Sequence, residues 1–213
     1  MLYRVPVLLL SLMTHELAHA FVALRCGDNT AKQMGRISFN PLKHIDPLGA
    51  ILLIAVGFGW AKPVPINPGN FKNKKAGVIL TSLAGPLSNI LLAIVFSAAY
   101  VIVKARAQPA PFMPISESDT LILNFLTQFY SVNIMLAAFN LIPIPPLDGS
   151  KVLFVFLPDR IYFNYVLKYE RFGMLILLAL SFSGFIMVIL RPIVGFFYSF
   201  INAVVSPLSN IIL

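Results

Sequence analysis

The sequence predicts an all-α polytopic membrane protein, with about four to six transmembrane helices and a short membrane-associated β-hairpin or re-entrant loop after the first. Three observations carry that expectation. Of 213 residues, 58% are hydrophobic and 11% charged, whereas soluble globular domains carry roughly 25% charged residues. Four apolar runs, at about 5–24, 78–103, 120–142 and 172–190, each approach the length of about 20 residues that crosses a hydrocarbon core about 30 Å thick. The basic residues behind the formal charge of +8 lie between those runs, where topology signals belong. They form no basic domain interleaved with aromatics, which excludes a nucleic-acid partner and leaves the lipid bilayer as the medium.

Taken in order, the run 5–24 is too long, and too unlike a charged n-region followed by a small-residue cleavage site, to be a removable signal peptide. The connection 25–77 holds Gly35, Pro41, Pro47, Gly49, Gly57, Gly59, Pro63, Pro65, Pro68 and Gly69 around the apolar stretch Ile51–Trp60. Such punctuation forbids a long regular helix. Residues 36–39 and 50–66 are expected to form short strands or a re-entrant hairpin at the membrane surface, with Trp60 as an interfacial anchor. Backbone of that kind is tolerated at membrane depth only where protein buries it or a wet cavity meets it, so the loop is a candidate wall of a site.

The second and third runs are joined at 107–118 by a short turn with Pro109, Pro111 and Pro114. The fourth run is followed by Arg191 and Pro192, and 193–213 is a possible fifth span. It is apolar throughout but holds Pro207, so it either spans or lies in the interface. One domain, 1–213, accounts for the whole. Cys26 is the single cysteine, which rules out an internal disulfide and gives it a structural reading.

Charge sets the orientation. Segments 25–77 and 143–171 carry 12 of the 16 Lys and Arg residues, so the positive-inside rule places both in the cytoplasm and the N-terminus outside. His19 and Asp148 then lie toward the same face.

Within the first run stands His15-Glu16-Leu17-Ala18-His19. A spacing of four puts both imidazoles on one helix face, a turn apart, where each can give a nitrogen to one Zn²⁺ ion. Glu16, between them, is placed to take a proton from water and pass it to a leaving amine. Two His and a Glu inside a spanning helix are costly unless paired or metal-bound. A catalytic zinc needs a third protein ligand. Glu117 and Asp119 fall on the opposite face, Asp159 and Glu170 stand among basic residues, and His44 reads better as a turn-stabilising histidine. Asp148 ends the arm Pro143-Ile144-Pro145-Pro146-Leu147, where three prolines stiffen the chain and Gly149 permits a tight turn. The alternative for Asp148 is a cap on a helix over 150–157.

The pairing of His15-Glu16-Leu17-Ala18-His19 with Pro145-Pro146-Leu147-Asp148-Gly149 resembles the site-2 protease family, peptidase family M50, over nearly the whole chain. The resemblance implies an intramembrane zinc metalloprotease that hydrolyses peptide bonds within or near transmembrane helices of membrane-protein substrates. It implies one Zn²⁺ held by His15, His19 and Asp148, with Glu16 as general base. Asn140 and Pro143 match the same family element, which implies a substrate-orienting role for Asn140. In Ala84-Gly85-Pro86-Leu87-Ser88-Asn89, Asn89 is implied to approach the site, although helix packing explains those residues too. No insertion has room for a PDZ domain and no CBS domain follows, so the chain looks like a compact member. The expected setting is multi-pass in the cell membrane of a prokaryote, with the site toward the cytoplasm. The rival functions are a metal-binding membrane transporter and a non-proteolytic membrane scaffold. A transporter would carry ionisable residues in several spans, yet 78–103 and 172–190 hold none apart from Tyr100.

Overall fold

The computed structural model describes residues 4–56, 59–108, 114–158 and 167–212. Eight α-helices follow one another along these residues: α1 (Arg4–Cys26), α2 (Thr30–Gln33), α3 (Pro47–Val56), α4 (Lys74–Ala107), α5 (Glu117–Asn140), α6 (Asp148–Phe154), α7 (Leu167–Phe182) and α8 (Phe185–Ile212). Four of them, α1, α4, α5 and α8, are long and apolar enough to cross a bilayer. The expected helical membrane architecture is therefore what the chain forms.

Side-chain caps fix where the spans begin. Asn73 Oδ1 accepts from the Ala76 N–H at the start of α4, and Ser116 Oγ accepts from the Asp119 N–H at the start of α5, both at 3.1 Å. Glu117 and Asp119 in the first turn of α5 further favour its positive dipole end. At 34 residues α4 is about 50 Å long, well beyond the hydrocarbon thickness. Its basic ends, Lys74 and Lys75 at one side and Lys104 and Arg106 at the other, thus reach past the core. It is also the hub of the fold, packed against α1, α5, α6 and α8. The core on that hub joins Ala93, Ile134, Ala138, Leu177, Leu190 and Ile201, with Phe96 stacked on Phe129 at 4.0 Å between centroids. Leu80, Leu87, Leu91, Val95 and Ile102 lie exposed along α4, a lipid-facing stripe.

Two expectations change. The hairpin over 36–39 and 50–66 is not formed. Among the described residues there is no strand, only an isolated antiparallel bridge between Ile45 and Ala61, beside which the Lys62 N–H donates to the His44 carbonyl at 2.9 Å. Residues 47–56 are helical instead, because Asp46-Pro47 is a helix start. Pro47 occupies the first position, where no N–H is needed, and Asp46 Oδ1 accepts from the Gly49 N–H at 2.9 Å. Gly57 of the punctuated loop, and residues 109–113 of the proline-rich turn, lie outside the described residues. The second change concerns the C-terminal half. The expected span 172–190 straddles a break at Ser183-Gly184, where Gly184 adopts φ +73°, a conformation that glycine takes at little cost. The candidate span begins after it, at Phe185, and runs through Pro192 to Leu208, so the possible fifth span is the body of the fourth.

The loop that follows α3 is fastened to the end of α1 by one carboxylate. Asp28 is 1% exposed; its Oδ2 accepts from the Asn67 N–H at 2.7 Å, and its Oδ1 from Asn70 Nδ2 at 2.8 Å and the Thr30 N–H at 3.1 Å. Burial pushes the Asp28 carboxyl up, but the hydrogen bonds from Thr30, Asn67 and Asn70 outweigh it and hold it below its ordinary value. The clamp therefore acts in full above a pH of about 3.9, the unfolded value, and is lost as the pH falls through the lower folded value. Asp28→Ala leaves these donors unmatched and is expected to destabilise the protein by about 2 kcal/mol. Thermal unfolding in detergent at pH 7 checks this.

Candidate metal centre

On α1, the four-residue spacing brings the His15 and His19 rings edge to face, 4.6 Å between centroids. Asp148, from the first turn of α6, meets them. Its Oδ2 lies 3.2 Å from His15 Nε2 and 3.1 Å from His19 Nε2, and the two Nε2 atoms are 3.0 Å apart. All three side chains are buried. The capping alternative for Asp148 is not realised, since Leu147 is the N-cap of α6 and Asp148 turns inward. Gly149 makes this possible, because a Cβ there would strike the Leu141 and Ile142 carbonyls of the proline-rich arm. The outer oxygen, Oδ1, takes Lys151 Nζ at 3.0 Å.

A chain of hydrogen bonds sets the protonation of each imidazole. Asn133 Nδ2 donates to the Phe129 carbonyl and to Ser11 Oγ, both at 2.9 Å. A carbonyl only accepts, so Asn133 turns its Oδ1 toward Asn89 Nδ2, 2.7 Å away. Asn89 Oδ1 must then accept from His15 Nδ1 at 2.6 Å. Likewise the Thr81 carbonyl accepts from His19 Nδ1 at 2.6 Å. With both protons on Nδ1, each Nε2 presents a lone pair to the other and to a carboxylate oxygen. With both imidazoles neutral, three acceptors converge, an arrangement that suits a bound cation. A tetrahedral metal with bonds of about 2.0–2.1 Å holds its ligand atoms about 3.3 Å apart, close to the separations here. The donor set of two neutral imidazoles and one carboxylate fits zinc.

Gly85 of α4 completes the cradle. Any Cβ there would run into His19 Nε2 and the Nε2 and Cε1 of His15. Pro86, next to it, is tolerated inside the helix without an N–H of its own. Glu16, one position along α1, is half-buried, and its Oε2 accepts from the Val64 N–H at 2.8 Å. The stretch 61–67 thus reaches the site and fixes one carboxylate oxygen.

Of the residues singled out in the sequence, His15, His19 and Asp148 come together, Glu16 stands beside them, and Asn89 packs behind His15, fully buried. Asn140 does not join them. Its Nδ2 donates to the Leu136 carbonyl of its own helix at 3.0 Å. His44 is buried in its loop, with Nε2 on the Ser38 carbonyl at 2.8 Å. Sequence reasoning missed Ser11, Asn133, Thr81, Val64 and Lys151. Asn133 did leave a signal, as an amide inside a spanning segment that needs a partner. Thr81 and Val64 act through backbone groups that every residue has, and left none.

A helix-borne His-Glu-x-x-His facing an aspartate inside a bundle of membrane-length helices defines the class of membrane-embedded metallohydrolases. Comparison with known proteins agrees. A model of peptidase family M50 matches residues 107–184. The chain is 38% identical to "Putative zinc metalloprotease YwhC" of Bacillus subtilis, over 84% of this chain and 79% of that one. It is 32% identical to the similarly named Rip2 of Mycolicibacterium smegmatis, over 68% of this chain and 53% of that one, and 34% identical to MJ0611 of Methanocaldococcus jannaschii, over 65% and 62%. It thus spans about half the length of Rip2. No solved structure matches. The chain belongs to peptidase family M50.

Proposed function

We propose that His15, His19 and Asp148 hold the zinc of this metalloprotease, that Glu16 is its general base, and that its substrates are transmembrane helices of other membrane proteins. The observation that carries the reading is the convergence of three acceptor atoms, each oriented from behind, at the only group of three or more metal-type side chains among the described residues. Zinc bound there supplies Lewis acidity, which acidifies water and polarises a carbonyl. Glu16 takes the proton of the attacking water and returns it to the leaving amine. The Val64 N–H holds Glu16 Oε2, and Oε1 carries no hydrogen bond among the described residues, so one oxygen is anchored and the other is available for the proton. Asn89 and Thr81 keep the imidazole protons on Nδ1. This supports a positioning role for Asn89, whose amide is spent on His15, Ser11 and Asn133. Substrate helices must open locally to present a carbonyl, and the stretch 61–67, whose Val64 N–H holds Glu16, supports a reading in which the opened segment runs beside it. We place the protein in a prokaryotic cell membrane, as its bacterial and archaeal relatives support, with the site toward the cytoplasm on the distribution of Lys and Arg.

Asn89→Leu removes the acceptor for His15 Nδ1. It is expected to weaken zinc binding about 10–100-fold, read by chelator competition. The substrate reading is tested by comparing membrane proteomes of cells that carry wild type or Glu16→Gln. A fragment ending inside a transmembrane helix must disappear with Glu16→Gln; identical fragment sets would refute it.

A further inference from the structure

Beside His19, on the side away from His15, a cavity of about 200 Å³ opens between the stretch 61–67, the first turns of α4 and α6. Val64, Ile66, Phe71 and Val78 give it an apolar wall. His19, Thr81, Ser82 and Lys151 supply its polar points. Lys151 Nζ stands at the rim on Asp148 Oδ1, its side chain 47% exposed. Thr81 is the one hydroxyl among the described residues that is buried with no hydrogen-bond partner, and its own backbone carbonyl is the group that holds His19. The larger part of the cavity's lining surface is thus apolar, and the Thr81 hydroxyl is itself covered.

We infer that this cavity is a specificity pocket, which takes the side chain of the substrate residue next to the scissile bond and selects a large aliphatic or aromatic one. The inference rests on the proposed zinc-protease reading. Three points support it. The cavity shares His19 with the metal centre, so a peptide whose carbonyl lies at the metal places a neighbouring side chain at its mouth. Its size exceeds the roughly 150 Å³ of an apolar cavity that accepts benzene, so an isobutyl or benzyl group fits where a methyl leaves most of it empty. Val64 contributes a wall with its side chain while its N–H holds Glu16, so filling the pocket bears on the element that orients the base.

The test uses the zinc-loaded full chain in detergent and two peptidyl hydroxamates of one backbone, which anchor on zinc and differ only in the side chain beside the anchor, isobutyl or hydrogen. Calorimetric titration is expected to show the isobutyl compound binding at least tenfold more tightly. Val78→Trp fills the pocket and is expected to reduce that preference below twofold, with the affinity of the hydrogen compound unchanged, which certifies a folded, metal-loaded site. Ile66→Trp, from the opposite wall, is expected to do the same and stands in if Val78→Trp does not fold. Equal affinities in the wild type, or a preference that survives both substitutions, would overturn the pocket. Failure of the hydrogen compound to bind the wild type would instead remove the metal-centre reading, and the pocket with it.

Discussion

Glu16→Gln is expected to lower peptide-bond cleavage by about 10²–10⁴-fold while zinc stays bound at one ion per chain. The amide has nearly the shape of the carboxylate, and its oxygen can still accept from the Val64 N–H, so the stretch 61–67 keeps its place. What is lost is the basic oxygen. Proton transfer by a placed side chain contributes that order of rate, and none of the other described carboxylates converges on the site, since Asp148 turns both oxygens to His15, His19 and Lys151. Cleavage of a substrate helix by purified protein, with metal content measured on the same sample, separates lost chemistry from lost metal.

Gly85→Ala carries the second large effect, and it acts on the metal. Alanine is the better helix former by about 1 kcal/mol, so α4 itself gains. Yet the added methyl occupies the space of both imidazoles. The rings must swing away from Asn89 and Thr81, and with them goes the convergence of lone pairs. Zinc affinity is expected to fall about 100-fold or more, the upper range for lost ligand orientation, while the helical content of the metal-free protein is unchanged. A merely destabilised fold would lower both.

These two residues mark how far the site was legible. His15, Glu16 and His19 announce themselves because polar groups at helical spacing inside an apolar run have few bland explanations. Asp148 does so because three prolines and a glycine surround it. Gly85 looked like a packing residue, since what it makes room for, His15 and His19, stands 66 to 70 positions away in the chain. The orienting groups behind the imidazoles were hidden further, being an amide on α5 and a backbone carbonyl on α4. The spans were legible from length and composition where polar ends bound them, as for α1, α4 and α5. They were not where apolar sequence runs unbroken from α7 into α8, and there the small Ser183-Gly184 pair, not charged Arg191, ends a helix. The loop after α1 was misread for a related reason: an unbroken apolar run such as 50–56 has no period, and the capping pair Asp46-Pro47 decides for helix.

The central claim is that two helices separated by more than 120 residues build one zinc site. Zinc X-ray absorption on the purified protein tests it most directly. The expected spectrum has two imidazoles and oxygen neighbours at about 2.0–2.2 Å, and Asp148→Ala should alter it and weaken the metal. A sulfur neighbour, which would implicate Cys26, a third imidazole, which would implicate His44, or a spectrum and affinity that ignore Asp148→Ala would contradict it.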